Sequence, residues 1–68
     1  MTQKAMKKLA QEIYQCELIH ENPNSSVEEK SRVESRIMQI TKQIMAMKNG
    51  INIMLEVDEL VQKLLDSK

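Results

Sequence analysis

The sequence predicts an all-α protein: an antiparallel helical hairpin and a shorter third helix, packed as a three-helix bundle and assembled as a homodimer. Three observations predict it. Val33, Ile37, Ile40, Ile44 and Met47 recur at steps of four, three, four and three, the a/d spacing of a helix face that other helices must cover. Met6, Leu9, Ile13, Cys16 and His20 step by three, four, three and four and form a matching seam. Between the two seams lies one clear break, Glu21-Asn22-Pro23-Asn24-Ser25, in which Pro23 pushes Asn22 out of the α region. A loop this short between two helices makes them antiparallel neighbours.

The first helix is expected over about residues 3–20, with Thr2 as its cap and Ala5, Ala10 and Ile19 widening the seam. Lys4, Lys7 and Lys8 sit in its first two turns, where the macrodipole prefers anions. They read as a solvated face, because helix propensity outweighs a few tenths of a kcal/mol of repulsion.

The central helix, about residues 26–48, organises the chain. Ser26 and Glu29 fit a capping box, and Glu28 and Glu29 put negative charge in the first turn. A second row at Met38, Thr41 and Met45 widens its apolar stripe, so more than one neighbour is expected. Lys48-Asn49-Gly50 reads as its stop, with Gly50 as the C-cap.

A third helix is expected over about residues 52–66, capped by Asn52, with Glu56, Asp58 and Glu59 in its first half and Lys63 and Lys68 toward its end. Glu59 and Lys63 form the favoured i,i+4 pair. Ile53, Met54, Val57, Leu60, Val61, Leu64 and Leu65 cover well over 100° of its surface. A helix resting on a two-helix platform needs less, so these seven are the expected self-association or partner face.

Composition sets the limits. The 68 residues allow one domain with one thin core, and a chain this short buries only about 60% of the surface it exposes when unfolded. One cysteine forms no internal disulfide, and the single aromatic is Tyr14. Self-association is the simplest supplement to such a core. Ten basic and ten acidic residues cancel, whereas a nucleic-acid binder carries a basic excess. No run of about 18 apolar residues could span a membrane. The opening MTQKAMKKLAQEIYQ has basic residues without an apolar core or a cleavage site, so it does not read as a secretory signal. A cytoplasmic protein is expected.

Candidates for chemistry are few. Cys16 and His20, four apart on one face, could share a metal, but a tetrahedral site needs two more ligands and the chain has no other His or Cys. On the seam they read as a small hydrophobe and a residue suited to a helix C-terminus. The pair also lacks the third group that nucleophilic catalysis requires. Glu28/Glu29 and Glu56/Asp58/Glu59 lie at helix starts, where capping and dipole compensation account for them. The methionines Met38, Met45, Met47 and Met54 cluster about the second turn; they read as core fillers before they read as a helix-binding groove.

The expected function is therefore that of a non-enzymatic helical module for protein–protein interaction, with a second copy and another protein as partners and with no cofactor, metal or small-molecule substrate. The alternative is a small nucleic-acid-associated regulator using a basic patch of Lys4, Lys7, Lys8, Arg32 and Arg36. Acidic residues at 28, 29 and 34 interrupt that patch, and stacking aromatics are few.

Overall fold

The first two helices of this chain start from hydroxyl caps. The computed structural model describes residues 1–67 and holds three helices, α1 (Gln3–Glu21), α2 (Val27–Met45) and α3 (Gly50–Asp66). Thr2 Oγ1 accepts from the Ala5 amide at 3.1 Å and starts α1. Ser26 and Glu29 close the expected capping box: the Glu29 amide donates to Ser26 Oγ at 3.1 Å, and the Ser26 amide donates to Glu29 Oε1 at 3.3 Å. Between them Asn22 is extended, with ψ at 120°, as the following Pro23 requires. Its side-chain oxygen accepts from the Asn24 amide at 2.9 Å, an Asx turn that reverses the chain.

The hairpin is antiparallel. Glu12 pairs with Arg36 and His20 with Glu34, so positions rise along α1 as they fall along α2. The central seam runs as expected through Val33, Ile37, Ile40 and Ile44, with Ile40 0% and Ile44 1% exposed. On α1, Met6, Ala10, Ile13 and Cys16 are buried. Val57 and Val61 of α3 close the core from the third side, and Leu9, Ile53, Met54, Leu60 and Leu65 pack around it. The molecule is flattened, 37 × 26 × 15 Å, with a radius of gyration of 12.3 Å, above the ~11 Å of a compact domain of this length.

The second turn departs from the expectation drawn from the sequence. Helix α2 stops at Met45 rather than at Lys48, so Met47 leaves the seam and is 44% exposed. Asn49, not Gly50, holds the left-handed backbone, with φ at 62°. Helix α3 begins directly at Gly50, so Asn52 lies inside it and Asn49 makes no side-chain cap. The physical reason is contact. Gly50 is buried, and a Cβ there would lie 2.3 Å from the Ile44 carbonyl oxygen and 2.8 Å from Met45 Cα. Glycine is needed here for close backbone approach rather than for left-handed torsion angles. Lys68, read above as complementing the dipole of the third helix, lies outside the described residues.

Three outcomes follow from this packing. Ile40→Ala should cost about 2–5 kcal/mol in urea unfolding, since a wholly buried side chain leaves a cavity between three helices; a loss below about 0.5 kcal/mol would place Ile40 outside the core. At the turn, Gly50→Ala should destabilise by about 1–3 kcal/mol because the methyl meets backbone that cannot rotate away. Asn49→Ala should cost about 1–2 kcal/mol for the left-handed residue, while Asn49→Gly stays near neutral. If Gly50→Ala is as stable as the parent, the close approach is not what shapes the turn.

Candidate functional site

The third helix turns most of its expected partner face inward. Val57 is 0% and Val61 5% exposed, and both belong to the core of the single chain. Ile53, Met54, Leu60 and Leu65 are half-buried against that core. Leu64 is half-buried in the groove where α1 and α3 meet, beside Lys7, Ala10, Gln11, Leu60 and Lys63. Val57 and Val61 are thus closed to any partner, while the other five keep part of their surface exposed. The width of the face reflects two neighbours, because α3 packs on both α1 and α2.

Exposed apolar surface collects elsewhere. Met38 is 60%, Met45 48%, Ile51 65% and Leu55 59% exposed, and Met47 joins them at the turn. Met38 and Met45 are seven apart and share one side of α2; Ile51 and Leu55 are four apart and share one side of α3. The two rows meet at the corner, where Met45, Met47 and Ile51 line one shallow depression over Gly50. The outer methionines are therefore not core fillers; among the methionines only Met6 is buried and Met54 half-buried. Sequence reasoning missed Ile51 because it began α3 at Asn52, and passed over Leu55 because that residue, although inside the expected helix, falls off its wide apolar face. Phasing that helix from an inward-facing Gly50 would have placed both outside.

The basic residues do not form one patch. Lys4, Lys7, Lys8, Arg32 and Arg36 are all exposed, but Lys7 borders the α1–α3 groove, whereas Arg32 and Arg36 lie with Met38 and Lys42 along the outside of α2. Arg36 is already engaged: its Nε donates to Glu12 Oε1 at 2.6 Å and its Nη1 to Gln39 Oε1 at 3.1 Å. Arg32 and Lys42 make no ion pair among the described residues.

Cys16 and His20 part company. Cys16 is buried and free, while His20 is exposed and its Nε2 lies 2.7 Å from Glu34 Oε1. No group of three His, Cys, Asp or Glu is placed to hold a metal ion among the described residues. Burial pushes the Cys16 thiol above its ordinary pKa of 9.0; Glu12 adds to the rise, Arg36 opposes it and Glu17 adds to it. This is the environment of an inert, packed thiol. Glu29 is spent on the cap of α2, and Asp58 and Glu59 stand exposed on α3. No helix is long and apolar enough to cross a membrane among the described residues.

A scan against protein-family models, a search of curated proteins and a search of solved structures each return no match to this chain.

The buried thiol carries a pH signature. A thiol pKa raised in the folded chain means that the unfolded chain releases its proton first. The associated stability is full below about pH 9 and is lost as pH rises toward the folded value. The melting temperature of wild type should therefore fall relative to Cys16→Ala as pH is raised through 9. Parallel melting curves for the two proteins across that range would mean that Cys16 is solvated.

Proposed function

We propose that this chain is a non-enzymatic helical interaction module, working in the cytoplasm by burying the α2–α3 corner against a protein. The observation that carries the reading is the corner itself: Met45, Met47 and Ile51 line one depression, and Met38, two turns back on α2, and Leu55, one turn on along α3, continue its exposed rows on a chain of only 68 residues. Single exposed hydrophobics are ordinary, whereas a contiguous group rimmed by polar residues marks a binding surface. Methionine suits that role, since its flexible thioether adapts to a partner's contour. An enzymatic reading finds less support. Among the described residues the one thiol is buried while the one imidazole is exposed and engaged by Glu34, and the exposed carboxylates lie on open helix surface. A nucleic-acid reading is weakened by the split of its cations between two faces and by the engagement of Arg36.

The test is cross-linking in the source cells with a tagged chain, wild type against Ile51→Glu/Leu55→Glu. Both side chains are exposed in the protomer, so the variant should keep its helical circular dichroism. Wild type is expected to give a discrete cross-linked species that falls at least about tenfold in the variant, as for a truncated interface centre. A species unchanged in the variant moves the surface away from the corner, and the absence of any discrete species from wild type overturns the module.

A further inference from the structure

We infer that the α2–α3 corner pairs with a second copy of itself across a two-fold axis, with α2 of each copy lying on α3 of the other. The inference rests on the reading of the corner as an interaction surface and names its partner from charge. Along the outside of α2, Met38 and Met45 are accompanied by Arg32 and Lys42, with Met38, Arg32 and Lys42 bordering one depression. Along the outside of α3, Ile51 and Leu55 are followed by Asp58 and Glu59, both exposed. The unpaired charges that α2 sets beside its apolar row are thus cations, Glu34 near Met38 being engaged by His20, and those that α3 sets beside its row are acids, although the chain as a whole is neutral.

Neither set is satisfied within the protomer. The ion pairs among the described residues are Glu12–Arg36 and His20–Glu34, and neither uses Arg32, Lys42, Asp58 or Glu59. A surface bearing both signs beside one apolar patch is self-complementary under a two-fold rotation. The rotation that stacks corner on corner brings the cations of each copy to the acids of the other, and it does so twice. Pairing α2 on α2 would instead set cation against cation, and α3 on α3 acid against acid. The charges therefore select one of the available arrangements.

Size is consistent with this. A standard interface takes about 800 Å² from each partner, roughly a sixth of the 5132 Å² that this protomer exposes. The five large apolar side chains of the corner, each 44–65% exposed, and their polar flanks are the surface such a pairing would draw on. The core of the single chain is made of small and medium aliphatics, so a second copy would supply the apolar cover that aromatic residues provide in other small domains.

The test uses the purified full chain and two charge-reversed variants, Arg32→Glu/Lys42→Glu and Asp58→Lys/Glu59→Lys, all at exposed positions. Sedimentation velocity across a dilution series reads the dimer constant. Wild type is expected to dimerise, and each variant alone should dissociate at least about tenfold more readily, because like charges then face each other. An equal mixture of the two variants should recover a dimer, since an acidic α2 meets a basic α3 and a basic α2 an acidic α3. A wild-type dimer that survives both reversals, or a mixture no tighter than its components, overturns the arrangement. A wild type that stays monomeric at ~100 μM overturns self-pairing altogether. In that case a discrete cross-linked species lost in Ile51→Glu/Leu55→Glu still upholds the module with another protein, whereas its absence removes both readings.

Discussion

The close approach of Gly50 to the end of α2 is the constraint on which the rest of the structure depends. The Ile44 carbonyl and the Met45 backbone occupy the space that any Cβ at position 50 would need. Because glycine yields that space, α2 can stop at Met45 and α3 can start at once from the left-handed Asn49. The tight corner sets the phase of α3. It turns Val57 and Val61 toward Ile40 and Ile44 and leaves Ile51 and Leu55 facing out. A looser turn would allow α3 to rotate, and a rotation of about 100° moves every side chain by one position on the wheel. The backbone contact therefore decides both which residues are core and which form the exposed corner.

That core works with limited material. Its wholly buried large side chains are Ile40, Ile44 and Val57, one cluster drawn from two helices, with Met6, Ala10 and Ile13 completing it from α1. Branched aliphatics have few rotamers and interdigitate well, which compensates for the absence of large rings. They also fill less volume per residue, so the helices settle into a flattened arrangement. No buried side-chain polar atom lacks a partner among the described residues, and hence no desolvated polar group offsets the apolar burial. The charged groups stay at the rim, where Glu12–Arg36 ties α1 to α2 across solvent-exposed side chains. Surface pairs of this kind contribute little energy but do fix register.

Much of the fold was legible in the sequence because its signals were local and redundant. The central seam was marked by spacing, by the Ser26–Glu29 box and by the break at Pro23, and all three agreed. The second turn was not legible for a definite reason. Asn49-Gly50 carries the composition of a left-handed cap, and composition alone does not say which of the two adopts it. The determinant is contact between Gly50 and backbone six residues earlier, a tertiary fact that local propensity does not encode. The error then propagated. Starting α3 at Asn52 hid Ile51, and the breadth of the α3 face did not reveal that Val57 and Val61 are spent on the core that α1 and α2 share. The exposed corner follows from helix phase, and phase follows from that one contact.

Neutrality in this chain hides an ordered charge distribution. Ten cations and ten anions sum to zero, yet along the outside of α2 Arg32 and Lys42 stand unpaired, and on α3 so do Asp58 and Glu59, among the described residues. Net charge governs solubility and long-range repulsion, whereas the arrangement of charge governs which surfaces meet and in what orientation. The two kinds of residue at the corner therefore divide the work on the proposed pairing. Methionine, isoleucine and leucine supply non-directional burial, and flexible thioethers tolerate small errors of fit. The flanking charges supply direction, because an apolar patch alone would accept several rotations about its own normal. Removing the charges would leave a surface that still associates but no longer specifies how. Removing the apolar residues would leave complementary rims with too little buried area to hold them together.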